Sequence, residues 1–265
     1  MTHASFGIGF IVGPAIGGII GSKFGYHVPS FIAAFLSLLN LIGIIFFLEE
    51  SHQRSKKEGD KTQKNCKLSL DEWVPIEEIK RVSKDKKMLK LFVIKFLQLF
   101  IFTLFRSTIG IFCEIEFRMQ AKHNGFLIAY VGIVYSLVQG GFLLKRFREE
   151  TLIFSSFITS SLACLLWWRS ADIYSLILAV TIFSLPAGIL QTSINTLITL
   201  RSRQSDLGLT LGLSASVGSL TRFLAPLISG FLISSFGHHF LGLFCGVLCI
   251  IALLFVDRIE IKEKE

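Results

Sequence analysis

The sequence carries none of the short motifs that mark the common classes of soluble enzyme. It has no Gly-x-x-x-x-Gly-Lys-Ser/Thr phosphate loop, no dinucleotide-binding glycine fingerprint and no His-Glu-x-x-His pair for zinc. Its five cysteines show no paired spacing, and Cys245 and Cys249 lie in an apolar run without a neighbouring histidine or acid. We therefore predict no enzyme activity, no cofactor and no metal site, and we expect these thiols to pack as small apolar groups.

Charge is also scarce. Charged residues make up 17% of the 265 residues, against roughly 25% in soluble domains. Hydrophobic residues reach 52%, 26 residues are phenylalanine, and the mean hydropathy is +0.63. A soluble core of this size does not need so much apolar surface, whereas a bilayer does. Alternation of apolar and polar residues over ten-residue segments is absent, so the sequence predicts an all-α membrane protein.

Eight apolar runs are long enough to cross the hydrocarbon core, which takes about 20 residues of helix. They cover residues 5–22, 28–48, 89–112, 124–144, 151–168, 172–200, 207–235 and 239–256. The segment between the second and third runs is polar and rich in lysine, and we interpret it as a cytoplasmic linker between two membrane bundles.

The net charge of +8 does not indicate a nucleic-acid partner, because the basic residues fall in the gaps between apolar runs. With the linker in the cytoplasm, the later inward loops and the C-terminal tail carry more Lys and Arg than the outward loops. The charges thus encode topology. We predict an integral, multi-pass protein surrounded by membrane lipid, with the plasma membrane as its expected location.

Two distant segments of the chain repeat each other. GPAIGGIIGSKFGYH near the start and APLISGFLISSFGHH near the end match at a constant offset of 212 residues. The matched pairs are Pro14 with Pro226, Gly18 with Gly230, Phe24 with Phe236, Gly25 with Gly237, and His27 with His239. Five identities at one offset indicate duplication of a membrane bundle.

The first copy also contains the motif Gly9-x-x-x-Gly13-Pro14-x-x-Gly17-Gly18. It resembles the fifth-helix signature of the drug–proton antiporters of the major facilitator superfamily. Glycines three and four residues apart allow a neighbouring helix to approach closely, and Pro14 removes one backbone hydrogen bond. Ordinary small-residue packing between helices is the alternative interpretation.

A wider resemblance covers nearly the whole chain. The runs FGIGFIVG, LFVIKF from Leu91 and GLTLGLSASVGSLTRFLAPLISGFLISSFG are similar to the tetracycline-transporter-like, organic cation transporter-like members of solute carrier family 22. The resemblance implies the major facilitator fold and proton-coupled export of organic cations or drug-like amphiphiles. One loop departs from the superfamily pattern, since Gly141-Phe-Leu-Leu-Lys145-Arg146 lacks the usual aspartate.

The repeat and the resemblance together predict that the eight runs are helices five to twelve of twelve. Residues 1–48 are then the last two helices of the N-terminal bundle, 49–88 the linker, 89–257 the C-terminal six-helix bundle and 258–265 a cytoplasmic tail. We expect four further helices before residue 1, because a complete cavity needs both bundles.

Polar residues within the runs are the candidates for the substrate cavity. In the facilitator arrangement the first and fourth helices of each bundle line the cavity, which here means residues 89–112 and 172–200. The candidates on these helices are Lys95, Gln98, Arg106, Gln191 and Asn195. Each could equally serve packing, since Lys95 and Arg106 can reach the membrane surface and the amides can join helices.

Arg222 lies near the middle of the 207–235 run, and we assign it a gating or coupling role, either structural or direct. No carboxylate lies deep in any run. Glu114 and Glu116 follow the 89–112 run, where solvated loop acids are expected. The coupling acid of a proton antiporter is therefore expected on the helices before residue 1.

These patterns predict a secondary transporter that moves a small-molecule substrate and protons by alternating access. The alternative is a non-transporting membrane scaffold or regulator that keeps the fold and uses the linker to bind a partner.

Overall fold

The computed structural model describes residues 2–25, 27–47, 85–139, 148–170, 172–202, 206–237 and 239–256. This part of the chain forms eight α-helices and contains no strand, which confirms the predicted all-α fold and the number of runs. The helices are α1 Thr2–Phe24, α2 His27–Phe47, α3 Lys86–Phe117, α4 Ala121–Gln139, α5 Glu149–Trp168, α6 Ile173–Arg201, α7 Leu207–Phe236 and α8 Phe240–Val256.

Five of these helices are long and apolar enough to cross a membrane by length and composition. They contain the segments His27–Phe46, Lys86–Phe117, Glu149–Trp168, Ile173–Arg201 and Leu207–Phe236. Two shorter apolar helical segments, Ile11–Phe24 and Phe240–Val256, accompany them. The outer surface of the helices is apolar, since large apolar side chains are exposed on every helix from α1 to α8.

Helix α3 is longer than the predicted run of 89–112, and this corrects the placement of two acids. Glu114 and Glu116 lie in its last turns rather than in a loop. The helix ends only at Arg118, which adopts a left-handed conformation with φ 48° and donates its N–H to the carbonyl of Cys113. Loss of apolar character after Cys113 predicts where α3 leaves the bilayer, whereas the backbone hydrogen bonds of the helix continue for another turn.

Several predicted segments lie outside the described residues. They are the linker except for its last few residues, the loop from Gly141 to Arg146, and the tail at 258–265. The predicted domain boundaries and the inward loop therefore stay predictions.

Helix α3 is the central element of the C-terminal bundle. It packs against α6, α7 and α8, while α5 packs against α6 and α8. One apolar cluster surrounds Phe105, Phe112, Trp167 and Phe183. A second surrounds Leu91 near the other end of α3. Helix α1 stands apart from this bundle core and packs on α4, and α2 contacts α1.

The sequence repeat corresponds to a repeated helix ending. Both α1 and α7 stop one residue before a glycine with positive φ, 87° at Gly25 and 82° at Gly237. Each of these glycines donates its N–H at 3.1 Å to the carbonyl four residues earlier, at Gly21 and at Ile233. Residues with a Cβ rarely adopt this conformation, so the repeat retains glycine for a backbone reason.

Candidate functional site

A buried lysine joins three helices of the C-terminal bundle. Lys95 of α3 is 5% exposed, and its ammonium donates at 2.7 Å to Oδ1 of Asn195 on α6. It also donates to the hydroxyl of Ser214 on α7. No carboxylate of the described residues forms an ion pair with it. We call Lys95, Asn195 and Ser214 the lysine cluster. Its charge is held by two neutral oxygens alone.

The cluster forms where small residues let α3 and α7 approach. Helix α7 buries Thr210, Ser214, Gly218 and Ser229 along one face. At the other end of the contact, the hydroxyls of Ser107 and Ser229 lie 3.4 Å apart. Sequence reasoning missed Ser214, although the recurrence of small polar residues every three to four positions along α7 signals a helix-packing face.

The structure separates Gln98 from Lys95. The two side chains differ by about 60° around α3, because three residues turn the helix by about 300°. Gln98 is 4% exposed and lies with Phe157, Ser160 and Cys249 in the interior of the bundle. Its Oε1 has no hydrogen-bond partner among the described residues. One helical turn between Lys95 and Gln98 would suggest a shared polar face, but in the described structure the two side chains have different surroundings.

The other predicted cavity residues occupy more open positions. Arg106 is exposed and interacts electrostatically with the buried Tyr135 of α4. Gln191 is half-buried on α6, one turn before Asn195. The structure thus brings Lys95 and Asn195 into direct contact and leaves Arg106 and Gln191 as separate groups. Their contact with a substrate stays a prediction.

Arg222 is exposed on α7, and no carboxylate among the described residues pairs with it. Its guanidinium donates at 3.2 Å to the hydroxyl of Ser219, the one hydrogen-bond partner found for this side chain in the described part of the chain. The guanidinium also lies beside Gly218, where an added Cβ would be 3.6 Å from it and 3.8 Å from Cδ1 of Leu99 on α3. Along α7, Arg222 is about two helical turns from Ser214 of the lysine cluster.

The glycine motif makes its closest contact through one face of α1. A Cβ placed on Gly18 would lie 2.8 Å from the carbonyl oxygen of Ala121 and 3.0 Å from Cα of Gly125. A Cβ on Gly125 would lie 2.4 Å from the carbonyl oxygen of Pro14. We call these four residues the glycine seam. At Gly9, Gly13 and Gly17 an added Cβ would meet no atom of the described residues within 4 Å.

Comparison with known proteins identifies the family. A model of the Major Facilitator Superfamily matches residues 1–153 and again 129–264. The chain belongs to the major facilitator superfamily. This membership makes it an integral, multi-pass membrane protein of a transporter family, and it confirms the family resemblance drawn from the motifs.

Two relatives show how much of this chain, and how much of each relative, the sequence similarity covers. Solute carrier family 22 member 18 of Rattus norvegicus is 28% identical over 268 residues, covering 98% of this chain and 62% of the relative. The class D tetracycline resistance protein of Salmonella ordonez is 27% identical over 234 residues, covering 87% of this chain and 56% of the relative. The chain therefore spans about three-fifths of the length of these facilitator relatives.

A solved structure shows the same fold. The crystal structure of the human organic anion transporter MFSD10 (TETRAN) superposes with a TM-score of 0.73 at 18% identity. The superposition covers 96% of this chain and 62% of that one. At this identity the likeness establishes the facilitator fold of the chain and nothing about its substrate.

Proposed function

We propose that this facilitator is a secondary transporter that exports organic cations or drug-like amphiphiles in exchange for protons, in the plasma membrane. The observation that carries the proposal is the lysine cluster, a charged group buried where three helices of the C-terminal bundle meet. A charge that is buried among helices without a counter-charge in the described residues is costly, which favours a functional reason for keeping it.

Two features support movement by alternating access. The glycine seam gives α1 and α4 a close contact with few side chains to interlock, which suits small rotations of one bundle against the other. The relative named for tetracycline resistance supports export of a drug-like compound.

The test is transport by the native protein reconstituted in liposomes. An imposed pH gradient is expected to drive the fluorescent cation ethidium against its own concentration gradient, and a protonophore is expected to abolish this uphill movement. Ethidium exchange at equal pH reports transport without coupling. If ethidium exchanges at equal pH but the pH gradient drives no uphill movement, proton coupling is overturned. If neither exchange nor uphill movement occurs, the scaffold alternative is favoured.

Arg222 offers a second test of the transport function. Replacing it with leucine removes the guanidinium beside Gly218 and Ser219 but exposes only one more apolar side chain on an already apolar helix. We expect ethidium transport to fall at least fivefold with unchanged helix content. Arg169, an exposed residue just beyond α5, provides the matched control, and Arg169→Leu should transport normally. Normal transport by Arg222→Leu would remove Arg222 from the mechanism.

A further inference from the structure

A cavity of about 420 Å³ opens beside the glycine seam, toward the end of the bundle predicted to face outward. It lies between α1 and the adjoining ends of α3 and α4. We call it the outer vestibule. The residues that line it are Pro14, Gly17, Gly18, Glu114, Met119, Ala121, Asn124, Gly125 and Ile128. Its volume is within the range of small-molecule sites, which is roughly 300–1,000 Å³.

One acidic side chain and one side-chain amide lie on the lining of the vestibule. Glu114 supplies a carboxylate from the last turns of α3. Asn124 of α4 donates its Nδ2 at 3.1 Å to the carbonyl of Gly110, and this bond fixes the orientation of the amide. Its Oδ1 is buried and is therefore closed to a ligand in the cavity. No Lys or Arg is among the described residues that line the cavity.

The rest of the vestibule is apolar or has no side chain. Met119 and Ile128 provide apolar surface, and the thioether of a methionine adapts readily to ligands of different shape. Gly17 leaves space, since a Cβ placed on it would meet nothing within 4 Å. One acidic pole and an apolar wall are complementary to a cation with N–H donors on an apolar body.

We propose that the outer vestibule is a binding site for protonated amphiphilic amines, with Glu114 accepting hydrogen bonds from the ammonium group. The inference rests on the proposed export function and assigns it a site on the outward side, where a cationic substrate is held before release. It also gives Glu114 a role other than that of a solvated surface acid.

Binding can be measured apart from transport, using the native protein in lipid nanodiscs. The probe is 2-phenylethylamine, with 2-phenylethanol as the uncharged analogue and 3-phenylpropanoate as the anionic one. We expect the amine to bind at least tenfold more tightly than either analogue, and Glu114→Gln to remove that preference. Glu116→Gln is the matched control, because Glu116 lies on the same helix but pairs with His239 at 3.8 Å and does not line the cavity. Equal binding of the amine by both variants would overturn the proposal.

A steric variant tests the same site without changing charge. Gly17→Leu fills the vestibule and leaves the glycine seam intact, so amine binding should fall at least tenfold. Gly13→Leu adds the same side chain one turn away, outside the vestibule, and should bind the amine normally. Unchanged binding by Gly17→Leu would place the amine elsewhere.

The binding and transport assays separate the two proposals. Amine binding that depends on Glu114, in a protein that transports no ethidium, would support the vestibule and overturn the export function. Transport and amine binding that are both unaffected by Glu114→Gln and Gly17→Leu would support the export function and overturn the vestibule.

Discussion

Replacing Lys95 with methionine is expected to abolish transport while leaving the protein folded. The ammonium of Lys95 is buried and bonded to two neutral oxygens, one on Asn195 at 2.7 Å and one on Ser214. Burying a charge without a counter-charge costs several kcal/mol, so an apolar side chain of similar length should be tolerated or even favoured by the fold. A group that the fold does not require, yet that lies where three helices meet, is best explained by transport.

The measurements are ethidium transport in liposomes and the melting temperature of the protein in detergent. We expect transport by Lys95→Met to fall at least tenfold and the melting temperature to stay the same or rise by a few degrees. Lys87→Met is the matched control, because Lys87 lies in the first turn of the same helix with an exposed side chain. If Lys95→Met transports as well as Lys87→Met does, the lysine cluster has no part in transport.

Replacing a neutral partner of Lys95 should instead lower the stability of the protein. Asn195→Leu removes an acceptor and leaves a buried N–H donor unsatisfied, which costs about 1–3 kcal/mol. The double variant Lys95→Met with Asn195→Leu removes donor and acceptor together and should recover most of that loss. Additive losses of stability in the double variant would show that the two side chains do not interact.

The sequence was sufficient to predict the helices, because membrane spanning requires long apolar runs and α-helices satisfy their own backbone hydrogen bonds. It was less informative at helix ends. The charged residues after Cys113 predicted a loop, yet α3 continues to Phe117, since a helix that has left the bilayer can keep its hydrogen bonds in water.

Individual site residues were harder to predict than the helices. Lys95 and Asn195 were recognisable as polar residues within apolar runs, but their contact depends on how α3 and α6 are rotated against each other. Ser214 resembles many other small residues of α7, and its role emerges only from the position of the Lys95 ammonium. Gln98 lies one turn from Lys95 but points into the bundle interior. The two side chains differ in direction by about 60° around α3, and this is enough to bring them against different neighbouring residues.

The glycine motif shows the same limit. Its spacing predicted close packing by helix α1, but glycines at 13, 17 and 18 occupy two neighbouring faces, and sequence alone does not say which one contacts a partner. In the structure Gly18 and the carbonyl of Pro14 face α4, where Gly125 repeats the small-residue pattern from the other side. The partner helix, and therefore Gly125, could not be predicted from the motif.

Replacing Gly125 with alanine is expected to disrupt the glycine seam and with it transport. The added Cβ would lie 2.4 Å from the carbonyl oxygen of Pro14 and 2.9 Å from Cα of Gly18, both of them backbone atoms that no rotamer change can move. Helices α1 and α4 must therefore shift apart. Overpacking of this kind typically costs about 1–3 kcal/mol. We expect a lower melting temperature and at least a tenfold loss of ethidium transport.

The same substitution at Gly13, within the glycine motif of α1, should act in the opposite direction. Gly13→Ala adds a Cβ that meets nothing within 4 Å, and alanine is favoured over glycine inside a helix by roughly 0.5–1 kcal/mol. Gly13→Ala should thus be neutral or slightly stabilising and should transport normally. Equal effects of Gly125→Ala and Gly13→Ala on stability and transport would mean that the glycine seam does not hold α1 and α4 together. If Gly125→Ala lowers the melting temperature and Gly13→Ala does not, then glycine content is not what matters. The backbone contact of Gly125 with Pro14 and Gly18 would instead set how closely α1 and α4 pack.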